Sequence, residues 1–135
     1  MTLQRFVDAQ AAVYGRALAE LRDGCKRGHW MWFVFPQLAG LGHSATSQRY
    51  AIASLDEARE YLGHPVLGTR LRECATAVAR TQGRSAEQIF GGIDAMKLRS
   101  SMTLFHRAAP DETVFADVLD GFFGGSPDPA TDERL

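Results

Sequence analysis

Nine consecutive residues, His29-Trp-Met-Trp-Phe-Val-Phe-Pro-Gln37, hold both tryptophans of this chain and two of its eight phenylalanines. So much aromatic surface must be buried in a core or must line a pocket. A glycine-punctuated loop, Gly40-Leu-Gly42, follows at once. Its backbone donors can reach a ligand. The run is too short for periodicity to separate strand from helix. Its aromatics and Val34 favour a strand. No second convincing strand exists to pair with it, so a short buried helix ending before Pro36 is expected.

At 135 residues the chain is one domain, long enough to bury a real core. Hydrophobic residues make up 45% and charged residues 23%, the balance of an ordinary globular protein. The formal net charge of −1 gives no drive toward nucleic acid or an anionic membrane. A local basic patch stays open, because Arg70, Arg72, Arg80 and Arg84 are close in sequence. The longest apolar run, Trp30 to Pro36, is too short to span a bilayer. The first residues carry no signal-peptide apolar region. Cys25 and Cys74 form no metal or redox motif and read as reduced thiols. A cytoplasmic location is therefore expected.

The pattern predicts an all-α single domain of five to seven helices, spanning residues 1–125. Residues 2–23 read as one helix, with Thr2 as N-cap and Gly24 as stop. At about 100° per residue, Leu3, Phe6, Val13, Ala17 and Leu21 share one face, with Gln10 in its middle. Gln10 is then a buried clamp or a ligand contact. Ser44 caps a short helical stretch. Ser54-Leu-Asp-Glu57 and Ser85-Ala-Glu-Gln88 are capping boxes. Pro65 starts a helix to about Thr81, and Asp94 caps another to about Ala108. A last long helix follows Pro110-Asp111 and stops at Gly124-Gly125. The tail, 126–135, has little apolar content and is expected to fray.

Chemistry has few places to sit. In the helix from Asp94, Leu98, Met102 and Phe105 define the buried stripe. Asp94, Lys97 and Ser101 line one edge of it, and Lys97 and Ser101 lie four residues apart. A desolvated lysine beside a serine can activate a hydroxyl. The bland alternative is a small serine for close packing, Asp94 as cap and Lys97 snorkelling. His29 beside Trp30 and Trp32 is a pocket acid or base, or a histidine bonded to backbone. His43, His64 and His106 complete the set, and no spacing suits a metal. The loop through Gln37, Gly40, Gly42 and Ser44 contains a G-x-G before a helix N-terminus, which can hold phosphate. It lacks the third glycine and βαβ context of a dinucleotide fingerprint. Ordinary turn chemistry also explains it. Trp30 and Trp32 are core or a stacking platform. Tyr50 follows the loop, and Arg49 and Arg70 are surface charges or anion contacts.

The stretches His29–Gln37, Gly40-Leu-Gly42 with Ser44, His64-Pro-Val-Leu-Gly-Thr-Arg-Leu71 and Asp94-Ala-Met-Lys-Leu-Arg-Ser-Ser-Met-Thr-Leu-Phe105 together resemble the bacterial family called domain of unknown function 1810. The resemblance runs from Phe6 to about Gly124. It implies a mainly helical single domain and no established activity. Some members carry the label calpastatin. Calpain-inhibitory segments are disordered and poor in large apolar residues, whereas this chain has the composition of a packed globule. The order of Tyr50, an acidic helix, Lys97 and Phe105 is also similar to helical domains that bind NAD-derived or ADP-ribose ligands.

Two functions follow. In the first, the aromatic run, the glycine loop and the Asp94/Lys97/Ser101 edge form one small-molecule pocket, for a nucleotide or ADP-ribose-like compound. No cofactor is implied, and catalysis is left open. In the second, Phe115, Phe122 and Phe123 present an apolar surface to a protein partner or a second copy of the chain.

Overall fold

The computed structural model describes residues 3–135, so the N-cap expected at Thr2 lies outside it. Among the described residues the chain forms ten helices rather than five to seven: α1 (Gln4–Ala11), α2 (Tyr14–Arg22), α3 (Met31–Val34), α4 (Ala45–Arg49), α5 (Leu55–Gly63), α6 (Leu67–Arg80), α7 (Ala86–Phe90), α8 (Gly92–Ala108), α9 (Thr113–Phe123) and α10 (Pro129–Arg134). Among the described residues the strand content is a single parallel bridge between Leu38 and Ile52. None of these helices is long and apolar enough to cross a membrane.

The excess over the expected number has local causes. The helix predicted over 2–23 breaks at Ala12 and Val13, where φ swings to −123° at Val13. The break lets α1 pack on α3 while α2 packs on α6. Gln10 fixes the first of these contacts. Its side-chain amide donates to the Phe33 carbonyl at 2.6 Å and to the Tyr61 hydroxyl at 3.1 Å, and its oxygen accepts from Arg70 at 3.3 Å. A fully buried amide with its groups engaged is a clamp between α1, α3, α5 and α6.

The capping residues behave largely as their chemistry requires. Ser44, Ser54 and Ser85 each accept the N–H three residues on. Gln88 closes a full box on Ser85. Glu57 instead reaches one residue further back, to the Ala53 N–H. The start of α6 is held by His64, whose Nδ1 accepts from Val66 and Leu67.

The core is built round α8. Six consecutive residues, Ser100 to Phe105, are buried, so the middle of this helix is covered on every face. An aromatic chain crosses it: Phe6 meets Tyr61 edge-on at 5.2 Å, Tyr61 meets Phe105 at 5.4 Å, and Phe105 meets Phe115 at 5.9 Å. Phe115 is thus core, while Phe122 and Phe123 are half-buried.

Residues 126–135 carry a further helix, α10, placed on α8 by polar groups. Asp128 caps α10 through the Thr131 N–H, and its carboxylate also accepts from the Ser100 hydroxyl at 2.9 Å. Its own N–H donates to the Thr103 hydroxyl. Arg107 forks onto Asp132 at 2.9 and 3.0 Å and holds that carboxyl below its ordinary range. A latch of hydroxyls and charges has no apolar signature in sequence.

Asp128→Ala removes the cap and strands the buried Thr131 hydroxyl, while Ser100 keeps only its bond to the Met96 carbonyl. It should cost about 1–2 kcal/mol. Thermal unfolding should show a melting point lower by several degrees, whereas an unchanged one would return the tail to the frayed state.

Candidate functional site

The segment between α2 and α3 forms one wall of a cleft, and a single carboxylate organises it. Glu20, near the end of α2, is buried. Its Oε1 accepts from the Arg27 N–H at 2.7 Å, the Gly28 N–H at 2.9 Å and the Trp30 indole N–H at 3.0 Å. Burial alone would raise its pKa. The N–H groups of Arg27 and Gly28, with the indole, outweigh that and hold it below its ordinary value. Gly28 makes the arrangement possible. A Cβ there would come within 2.8 Å of the Trp30 ring.

Trp30 is therefore a buried support, packed on Phe35. Lys26 crosses its face at 5.1 Å and is tied back through its backbone N–H to the Ile89 carbonyl. The ammonium of Lys26 reaches Asp94 at 2.9 Å. Asp94 also pairs with Lys97 at 3.8 Å, and Lys97 lies over the Trp32 ring at 4.9 Å. The outcome is a cleft of about 390 Å³. Its walls are Trp32, Met31 and Phe90, its charged groups are Lys26, Asp94 and Lys97, and His29 stands exposed at its edge.

The third side is the start of α8. Gly91 takes φ +83°, a left-handed value that turns the chain from α7 into α8. It occupies the N-cap position expected for Asp94. Asp94 instead sits in the first turn, facing the two lysines. A Cβ at Gly92 would meet only open space. Ile93 beside it is 76% exposed, and Met96 is 72% exposed.

The single pocket expected from sequence separates into distinct places. His29, Trp32, Asp94 and Lys97 come together at the cleft, with Trp30 behind it. Ser101 does not join them. It is fully buried, and its hydroxyl finds no partner among the described residues. Gln37, Gly40, Gly42 and Ser44 line no part of the cleft. Gln37 offers its carbonyl to the Ile52 N–H. Gly40 lies under the Arg134 guanidinium, and Gly42 lies against Ser47. Ser44 caps α4. Tyr50 packs between Phe6 and Phe33, with Arg49 over its ring. Arg70 lies over Tyr14 and serves Gln10. Sequence reasoning passed over Glu20, Lys26 as a lining group, and Gly91-Gly92 as more than a stop. The two glycines one residue before Asp94 are the signal available in the sequence.

Fold and cleft together describe a mostly helical structure with an aromatic, lysine-flanked cleft at the start of α8. The chain belongs to the family described as a protein of unknown function (DUF1810), whose profile matches residues 1–135. It is similar to the conserved hypothetical protein Rv1873 from Mycobacterium tuberculosis, known from a crystal structure. The two share 55% identity over 98% of this chain and 95% of that one, with a TM-score of 0.97. No curated protein matches the chain.

Glu20→Gln keeps the shape and removes the charge from an oxygen that accepts three donors. It should cost about 1–3 kcal/mol at pH 7. The folded-state pKa lies below the unfolded 4.5, so this stability is present above pH 4.5 and is lost as pH falls through the folded value. Urea unfolding of both proteins across that range should show the difference shrinking as acid is added. A gap independent of pH would remove the carboxylate from this role.

Proposed function

We propose that the cleft binds a small anionic molecule carrying a flat ring, of the nucleotide or ADP-ribose class. One observation carries this reading: the convergence of the half-exposed Trp32 ring with the ammonium groups of Lys97 and Lys26 on one cavity. An aromatic face suits a base. Two ammoniums against the one Asp94 carboxylate leave a single positive charge to meet a phosphate. The first-turn N–H groups of α8 add donors on the same side. Asp94 is placed to accept from a sugar hydroxyl. The exposed Ile93 extends the apolar wall.

Binding does not require turnover. Were a bond to be broken here, His29 and Asp94 are the lining groups able to move a proton. A second reading, a partner-binding surface, draws on the exposure of Ile93 and Met96 together. It predicts no response to small ligands.

Thermal shift with AMP, ADP-ribose, NAD and phosphosugars separates the two. A ligand at a hundredfold excess over its Kd should stabilise by about 2.7 kcal/mol, several degrees of melting temperature. Trp32→Ala should abolish the shift. Gly92→Leu should abolish it too, by filling the cleft, with little change in the melting point of the free protein. No shift with any of these probes at millimolar concentration, or one that survives both variants, would contradict the reading.

A further inference from the structure

A second concavity, of about 790 Å³, runs along the outer face of α6 to the end of α2. It is distinct from the cleft, and the segment joining α2 to α3 separates them. Its character is set by arginines. Arg22 ends α2, Arg80 ends α6, and Arg84 enters from the turn before α7. None of the three pairs with a carboxylate among the described residues. The neighbouring charges are accounted for elsewhere. Arg72 is engaged by both oxygens of Glu112, and Asp23 pairs with Arg27. Glu73 is the remaining acid, and it accepts the Tyr14 hydroxyl at 2.5 Å.

Arg84 is held in place. Its stem crosses Gly24, where a Cβ would come within 3.3 Å of its Cδ, and its guanidinium donates to the Gln88 carbonyl. Gly24 also has φ +71°, which ends α2 there. The same glycine thus stops a helix and seats a cation at the groove wall.

The floor excludes several occupants. It contains no aromatic side chain, so nothing stacks a base. Thr69, Thr76 and Ala77 give it short methyl-bearing side chains. From Thr69 to Arg80 the helix advances roughly 16 Å. An extended peptide covers that length in about five residues.

We propose that this groove binds an acidic peptide segment of a partner protein, with Arg22, Arg80 and Arg84 meeting its carboxylates. Arginine forks suit carboxylates, and spaced cations select a chain of acids over one isolated anion. The proposal stands apart from the ligand suggested for the cleft.

Fluorescence polarisation with a labelled Glu-rich octapeptide tests it, in about 50 mM salt where surface charges are weakly screened. Arg80→Glu should weaken binding by at least about tenfold. Arg16→Glu changes the net charge equally but lies on α2 away from the groove, and should change binding less than about twofold. Circular dichroism of both variants checks that the helices persist, and Arg22→Gln, which removes charge without reversing it, should weaken binding in the same direction if Arg80→Glu unfolds. Equal loss in Arg80→Glu and Arg16→Glu would show general electrostatics and overturn the proposal. So would an absence of binding by the unaltered protein, or tighter Arg80-dependent binding of inorganic polyphosphate than of the peptide.

Discussion

One carboxylate oxygen holds the site together. Glu20 Oε1 accepts three N–H donors from the segment that follows its own helix. A neutral acceptor lacks the charge that strengthens three donors at once, and here that strength outweighs the cost of burying the carboxylate. With that oxygen in place, the loop closes over Gly28, Trp30 turns inward, and Lys26 is laid across the indole toward Asp94. Each of these is a precondition for the next. The candidate site is therefore built from the α2 end outward, and the cleft-lining Trp32 is its last member.

The other wall depends on α8. Its middle, Ser100 to Phe105, is buried on all faces and anchors the helix, while its first turn is left exposed at the cleft. Its polar residues are not errors of patterning. Ser100 and Thr103 take their partners from α10, so the chain's last helix covers the back of the helix whose front lines the cleft. Gln10 performs a comparable task at the other end of the core, where it ties the aromatic run through Phe33 to Tyr61 and Arg70.

Much of this was legible beforehand, though unevenly. Helix type followed from periodicity, and Ser44, Ser54 and Ser85 marked starts because a hydroxyl at that position has a defined acceptor role. The short buried helix in the aromatic run, α3, lies within the stretch that pairing arguments favoured. The division into α1 and α2 was hidden, because both halves share one apolar period and the break serves tertiary contacts. The helix in the tail is hidden for a related reason: its anchors are polar, and apolar content says nothing of them. At the site, the aromatic residues and the Asp94/Lys97 pair are visible as chemistry, and the sequence suggests their union in one pocket. What holds them together is not visible, since it rests on Lys26 and on the carboxylate of Glu20, residues whose types look like ordinary surface charges. The glycine loop after the aromatic run has the sequence of an anion-holding turn, yet its glycines accommodate Arg134 and Ser47.

Both tryptophans bear on the central claim, and each has its own indole N–H resonance. Trp30 donates to Glu20, whereas Trp32 faces the cleft. The most direct measurement is a proton–nitrogen NMR titration of the uniformly labelled protein with ADP-ribose and AMP, following the two indole signals. The account predicts a saturable shift of the Trp32 signal, with the Trp30 signal moving little and losing its hydrogen-bonded position only in acid. A Trp32 signal unmoved at millimolar ligand, while the protein stays folded, would contradict it.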